Sequence, residues 1–190
     1  RLSLGIGFNA DTKHPTFSGS LRLMAHMGLP SDIVNINVGL GYRGFFDREP
    51  PVEFLQHASF SDYMFYSRKD GTTKHVRPMG GLMVIPAELN LNLVPLSDEV
   101  TLFLGCGVEY GVRVYQSGRY GKHYGAHAVE PHSFGFYPMA GVRLDMEDGA
   151  SGTFSLYWRH YTQRPLNGDD IHIDKFTAKD FFGFQLSVNF

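Results

Sequence analysis

The sequence holds one cysteine, Cys106, so no disulfide can close within the chain. No run of apolar residues approaches eighteen, which excludes a membrane-spanning helix. A glycine-rich phosphate loop and a dinucleotide fingerprint are both missing. Groups such as Gly39-Leu40-Gly41 lie inside alternating stretches, not at a strand-to-helix turn. The formal charge of −2 provides no broad basic field, so nucleic acid is not an expected partner. The six lysines, Lys13, Lys69, Lys74, Lys122, Lys175 and Lys179, all fall in polar connecting segments or at their edges. Internal repeats, heptads and low-complexity linkers are absent, and no cofactor is expected. At 190 residues the chain is expected to form one domain spanning 1–190.

What the sequence does have is 22 glycines with 16 phenylalanines and 10 tyrosines, a usage that suits strands and not a helical bundle. Apolar residues recur with period two along most of the chain. Leu2, Leu4, Ile6 and Phe8 alternate with small or polar residues, and Leu21, Leu23, Ala25 and Met27 do the same. The pattern is clearest at Val34, Ile36, Val38, Leu40 and Tyr42. It returns at Met83–Leu93, Val100–Val114, Phe134–Leu144, Phe154–Trp158 and Phe182–Phe190. Short turns near Gly28–Asp32, Pro95–Glu99 and Glu147–Ser151 alternate with a loop at Asp11–Phe17 and longer segments at about 47–77, 116–132 and 163–176. An extension of the flanking hairpin is expected inside the first long segment, where Phe60 to Tyr66 is rich in aromatics. The expectation is an all-β, eight-stranded antiparallel up-and-down barrel that spans a membrane.

A water-soluble barrel shares the strand count and the alternation but turns its apolar face inward. Here the polar faces lack lysine and carry glycine, serine, asparagine and a set of arginines and glutamates. That set suits a narrow sealed interior, with the apolar residues facing lipid. Arg22, Arg43, Glu88, Glu109, Arg113, Arg143 and Arg159 are then expected to form an ion-pair ladder in the lumen. Tyr42, Tyr110 and Trp158 fall toward the long-loop end, where an aromatic girdle meets headgroups, and Phe190 falls at the opposite rim. The mean hydropathy of −0.18 fits a barrel in which only alternate residues meet lipid.

The last ten residues, Phe181 to Phe190, alternate strictly and stop on an aromatic. They resemble the C-terminal strand of small bacterial outer-membrane barrels of the OmpA/OmpX/OmpW class. That resemblance implies a Gram-negative outer membrane, both termini in the periplasm, long loops outside the cell and a signal peptide already removed before Arg1. It also implies contact with outer-membrane lipids and lipopolysaccharide. The expected role is a non-enzymatic surface protein whose loops bind a partner or ligand, in one form as an accessory subunit with other outer-membrane proteins. A narrow channel for small solutes is an alternative.

Three constellations bear on chemistry. By parity, His160 and Thr162 continue the outward face of Phe154, Leu156 and Trp158, and Asp180 shares the outward face of Phe182 on the next strand. Imidazole, hydroxyl and carboxylate are the parts of a hydrolytic triad. The stretch resembles the PagL-like lipid A deacylases, which place a His-x-Ser-Asn motif at the outer end of strand seven and an acid near the start of strand eight. His160 matches the base; Thr162 stands for the serine, Gln163 for the asparagine and Asp180 for the expected glutamate. The resemblance implies an outer-leaflet lipid A acyl hydrolase as the enzymatic alternative. The second constellation is His123, His127, Glu130 and His132, a donor set able to hold zinc or copper. The third is a group of basic residues in the long segments, among them Arg68, Lys122 and Arg164, suited to lipopolysaccharide phosphates.

Overall fold

The computed structural model describes residues 1–11, 16–28, 33–47, 65–69, 72–116, 129–146, 149–163 and 180–190. They form β1 (Leu2–Asp11), β2 (Thr16–Gly28), β3 (Val34–Asp47), β4 (Phe65–Lys69), β5 (Thr72–Pro95), β6 (Val100–Gln116), β7 (His132–Asp145), β8 (Ser151–Gln163) and β9 (Asp180–Asn189). Apart from β3 and β4, neighbours in the chain pair antiparallel; β1 pairs β9 and β3 pairs β5, so eight strands close into a barrel. Closure pairs both edges of each of these eight strands, which a hydrocarbon environment demands. The ninth strand, β4, pairs only with the first residues of β5, from Lys69↔Thr72 to Phe65↔Val76. The segment expected as a loop at about 47–77 therefore contains the hairpin extension, and β5 begins at Thr72 rather than near Met83. At the closing seam the Leu2 amide donates to the Phe190 carbonyl at 3.1 Å, and the Phe190 amide to that of Leu2 at 2.9 Å.

Exposure follows sequence parity around the wall. Leu4, Leu23, Leu40, Ile85, Leu104, Leu156 and Leu186 are all roughly half exposed. Ser3, Asn9, Arg22, Asn37, Arg43, Glu88, Glu109, Ser155, Arg159 and Gln185, on the other parity, are buried. The arrangement is inside-out relative to a soluble barrel: charge is enclosed and leucine faces outward, so the barrel is a transmembrane one. The interior is narrow. A Cβ added at Gly107 would stand 2.5 Å from the Tyr137 ring, so glycine there makes room for the tyrosine. Phe103, Tyr137, Met139 and Tyr157 pack as an apolar cluster within the lumen. At one short turn Gly149 takes a φ of 83°, in the left-handed region, and its amide donates to the Met146 carbonyl.

Lipid-facing and lumen-facing positions therefore differ in what they tolerate. Leu40→Arg is expected to cost about 2–4 kcal/mol of folding free energy in a bilayer. Equilibrium unfolding from vesicles checks this.

Candidate functional site

The interior charges come from strands spread around the barrel and meet at one level. Glu109 Oε2 accepts from Arg22 Nη2 at 2.9 Å and from Arg43 Nη2 at 2.8 Å, with Arg159 Nη2 at 3.5 Å. Arg22 Nη1 also reaches Glu88 Oε1 at 3.2 Å and Gln185 Oε1 at 2.9 Å. The Tyr137 hydroxyl donates to Glu88 at 2.8 Å, and the Tyr161 hydroxyl to Glu109 Oε1 at 3.3 Å. The Arg159 guanidinium lies over the rings of Tyr137 and Tyr157 at 4.4 and 4.7 Å. Five of the seven expected ladder residues are thus brought together: Arg22, Arg43, Glu88, Glu109 and Arg159. The other two stand apart. Arg113, at the long-loop end, donates to the Val129 carbonyl at 2.7 Å. Arg143, at the short-turn end, is partly exposed and pairs with Asp145 at 3.1 Å. Both lie too far along the barrel axis from Glu109 to join its cluster, a displacement that face parity alone does not reveal. The network also contains Tyr137, Tyr161 and Gln185, which the sequence reading did not single out although parity places them on the lumen face.

Toward the short-turn end the lumen opens into a polar cavity of about 110 Å³, lined among others by His26, Asn37, Asn90, Ser155 and Asn189. His26 bridges Asn37 at 2.7 Å and Ser3 at 2.6 Å.

The outward-facing constellation is assembled by the β8–β9 ladder, in which His160 lies directly opposite Asp180. His160 Nδ1 and Asp180 Oδ1 are 2.7 Å apart, with side-chain exposures of 32% and 24%. With the Nδ1 proton donated to the carboxylate, Nε2 keeps the lone pair of a base. Among the described residues nothing hydrogen-bonds Nε2. The rings of Phe136 and Trp158 flank the imidazole at 5.4 and 5.9 Å. Thr162 is exposed on the same outer wall, two residues further along the strand.

A bulge governs Thr162. Gly135 pairs with Tyr161 and Phe134 with Gln163, so Thr162 is the extra, unpaired residue between them. Bulges re-aim side chains and recur beside functional sites. The Thr162 hydroxyl donates to the Phe134 carbonyl at 3.2 Å. Nothing in the sequence signals this irregularity.

Below His160 the outer wall carries an apolar trough of about 670 Å³. It is lined by small or flat side chains, Ala87, Cys106 and Pro138, together with Leu89, Val108, Phe136 and Trp158. The last two are the rings that flank His160. Pro138 also coincides with a gap in the β7–β8 ladder. The pairs Phe136↔His160 and Met139↔Tyr157 stand on either side of it.

Of the expected metal set, His123 and His127 lie outside the described residues. His132 opens β7 and its Nδ1 is 2.8 Å from the Tyr110 hydroxyl, with the two rings stacked at 5.9 Å. Among the described residues no three His, Cys, Asp or Glu side chains come together as metal ligands. Arg68 is in β4, while Lys122 and Arg164 lie outside the described residues.

No protein-family model matches the chain, and no curated protein matches its sequence. Among solved structures it is similar to the outer-membrane enzyme PagL, over 97% of each chain with a TM-score of 0.44 and 10% sequence identity.

The two kinds of ion pair predict opposite sensitivities. Glu109→Gln leaves three buried guanidinium groups short of a carboxylate and should cost about 3–5 kcal/mol. Arg143→Ala removes a partly exposed pair and should change stability by less than about 1 kcal/mol. Urea unfolding of both variants in micelles measures the contrast.

Proposed function

We propose that this barrel sits in a bacterial outer membrane, short turns and termini toward the periplasm, and hydrolyses acyl esters of lipids in the outer leaflet. The observation that carries the reading is the 2.7 Å contact between His160 and Asp180 on the lipid-facing wall. Ionisable groups facing lipid call for a reason, and a carboxylate-oriented imidazole with its second nitrogen available is the core of a general base. Thr162 supplies the nucleophile. Its Oγ attacks the ester carbonyl and its proton passes to His160 Nε2. The bond to the leaving alcohol breaks as that proton is handed on. Water, deprotonated by the same nitrogen, then attacks the acyl-threonine, freeing the fatty acid and restoring the hydroxyl. Asp180 holds the tautomer and stabilises the imidazolium. The substrate's acyl chain lies in the trough over Ala87, Cys106 and Pro138, which brings its ester to the imidazole. Lipid A is the natural candidate, an acylated lipid of that leaflet.

One observation favours a second reading, a non-enzymatic surface anchor contacting lipopolysaccharide or other outer-membrane proteins. The Thr162 hydroxyl is engaged with the Phe134 carbonyl, and must rotate away before it can serve His160. A solute channel has less support, because the arginine–glutamate network crosses the lumen at mid-height.

Mass spectrometry of lipids from cells with and without the protein distinguishes the readings. Loss of one acyl chain that depends on His160 and Thr162 supports hydrolysis; an acyl pattern indifferent to the protein leaves the anchor. Asp180→Asn should lower turnover about 10³–10⁴-fold, while Thr162→Ser should keep or raise it. Cys106→Phe, which fills the trough, should shift the preferred substrate toward shorter acyl chains without changing folding yield.

A further inference from the structure

The mid-lumen cluster holds more positive than negative charge. Arg22, Arg43 and Arg159 face only Glu88 and Glu109, and none of the five is more than 8% exposed. Among the described residues no third carboxylate pairs with them: Asp145 serves Arg143 and Asp180 faces outward on His160.

The surplus has a location. Nε and Nη1 of both Arg43 and Arg159 are buried without a hydrogen-bond partner. Arg159 Nη2 lies 3.5 Å from Glu109 Oε2, near enough for charge attraction but not aligned as a hydrogen bond. Three hydroxyls share this condition: Ser133 Oγ, which stands beside Gly111, and the pair Ser20 Oγ and Tyr157 OH. The last two approach one point, the place where a Cβ of Gly7 would stand, at 2.8 and 3.4 Å. Arg43 is the cross-strand partner of Ser20, and Arg159 lies on the Tyr157 ring. Every one of these groups can donate, and the guanidinium nitrogens can do nothing else. Buried donors around an uncompensated cation are strongly unfavourable unless an acceptor bearing negative charge joins them.

We propose that the barrel interior binds a small monovalent anion, a halide in class, between Arg43 and Arg159, with the Ser20 and Tyr157 hydroxyls donating to it. A single negative charge balances three arginines against two glutamates, and a spherical ion accepts from donors in any direction. The site is separate from the outer-wall dyad and stands whether or not that dyad is catalytic.

The test uses the whole chain, refolded from urea into detergent with bromide in place of chloride, so that the ion has access before the barrel closes. Diffraction at the bromine edge should show an anomalous peak in the lumen in contact with Arg43 and Arg159. Water or a protein group at that place, or bromide confined to exposed arginines, overturns the proposal. In solution, replacing chloride by gluconate at constant ionic strength should weaken the folding equilibrium roughly tenfold if chloride stood at ten times its dissociation constant. Arg43→Met balances the charges at two against two and should abolish that dependence; an undiminished response overturns the site. The diffraction readout needs no variant, and it decides the question where Arg43→Met fails to fold.

Discussion

A single carboxylate oxygen, Glu109 Oε2, receives arginines from β2, β3 and β8. Those strands lie on different sides of the cylinder from β6, so the contact ties the wall together through its middle. The arrangement depends on closure. In an open sheet the same side chains would face water, where ion pairs contribute little. Enclosed, each charge leans on its partners, and the aromatic rings of Tyr137 and Tyr157 occupy the remaining faces of Arg159. The glycines on neighbouring lumen positions are the counterpart of this crowding, as Gly107 beneath Tyr137 shows.

The same alternation that buries charge inside places a second ion pair outside. Once Arg159 and Tyr161 point to the lumen, His160 and Thr162 must point to lipid. The β8–β9 register then sets Asp180 opposite His160. Lumen and outer wall are two consequences of one period-two pattern. The arginine that anchors the interior and the histidine that pairs with Asp180 on the outer wall are adjacent in the chain.

That period made much of the barrel legible from sequence: eight strands, their faces, and the shared side of His160, Thr162 and Asp180. Distance along the axis was less legible. Arg113 and Arg143 have lumen-side parity yet sit at opposite ends, because parity fixes a face and not a height. The bulge at Thr162 left no trace in composition, since an extra residue in a ladder is a matter of pairing, not of residue type. The hairpin extension inside 47–77 was expected from the aromatics at Phe60 to Tyr66, but its start at Thr72 was not, because Thr73, Lys74 and His75 do not alternate with apolar partners. There β4 and β5 pair beyond the closed ring.

Pro138 lies within β7, in a barrel where nearly every neighbouring residue can donate a proton to the ladder. Its nitrogen carries none, and the β7–β8 pairing is interrupted alongside it. Strands knit by fewer bonds separate with less work. The β7–β8 seam beside the imidazole is interrupted, whereas the β8–β9 seam on the other side runs unbroken from Ser151↔Asn189 to His160↔Asp180.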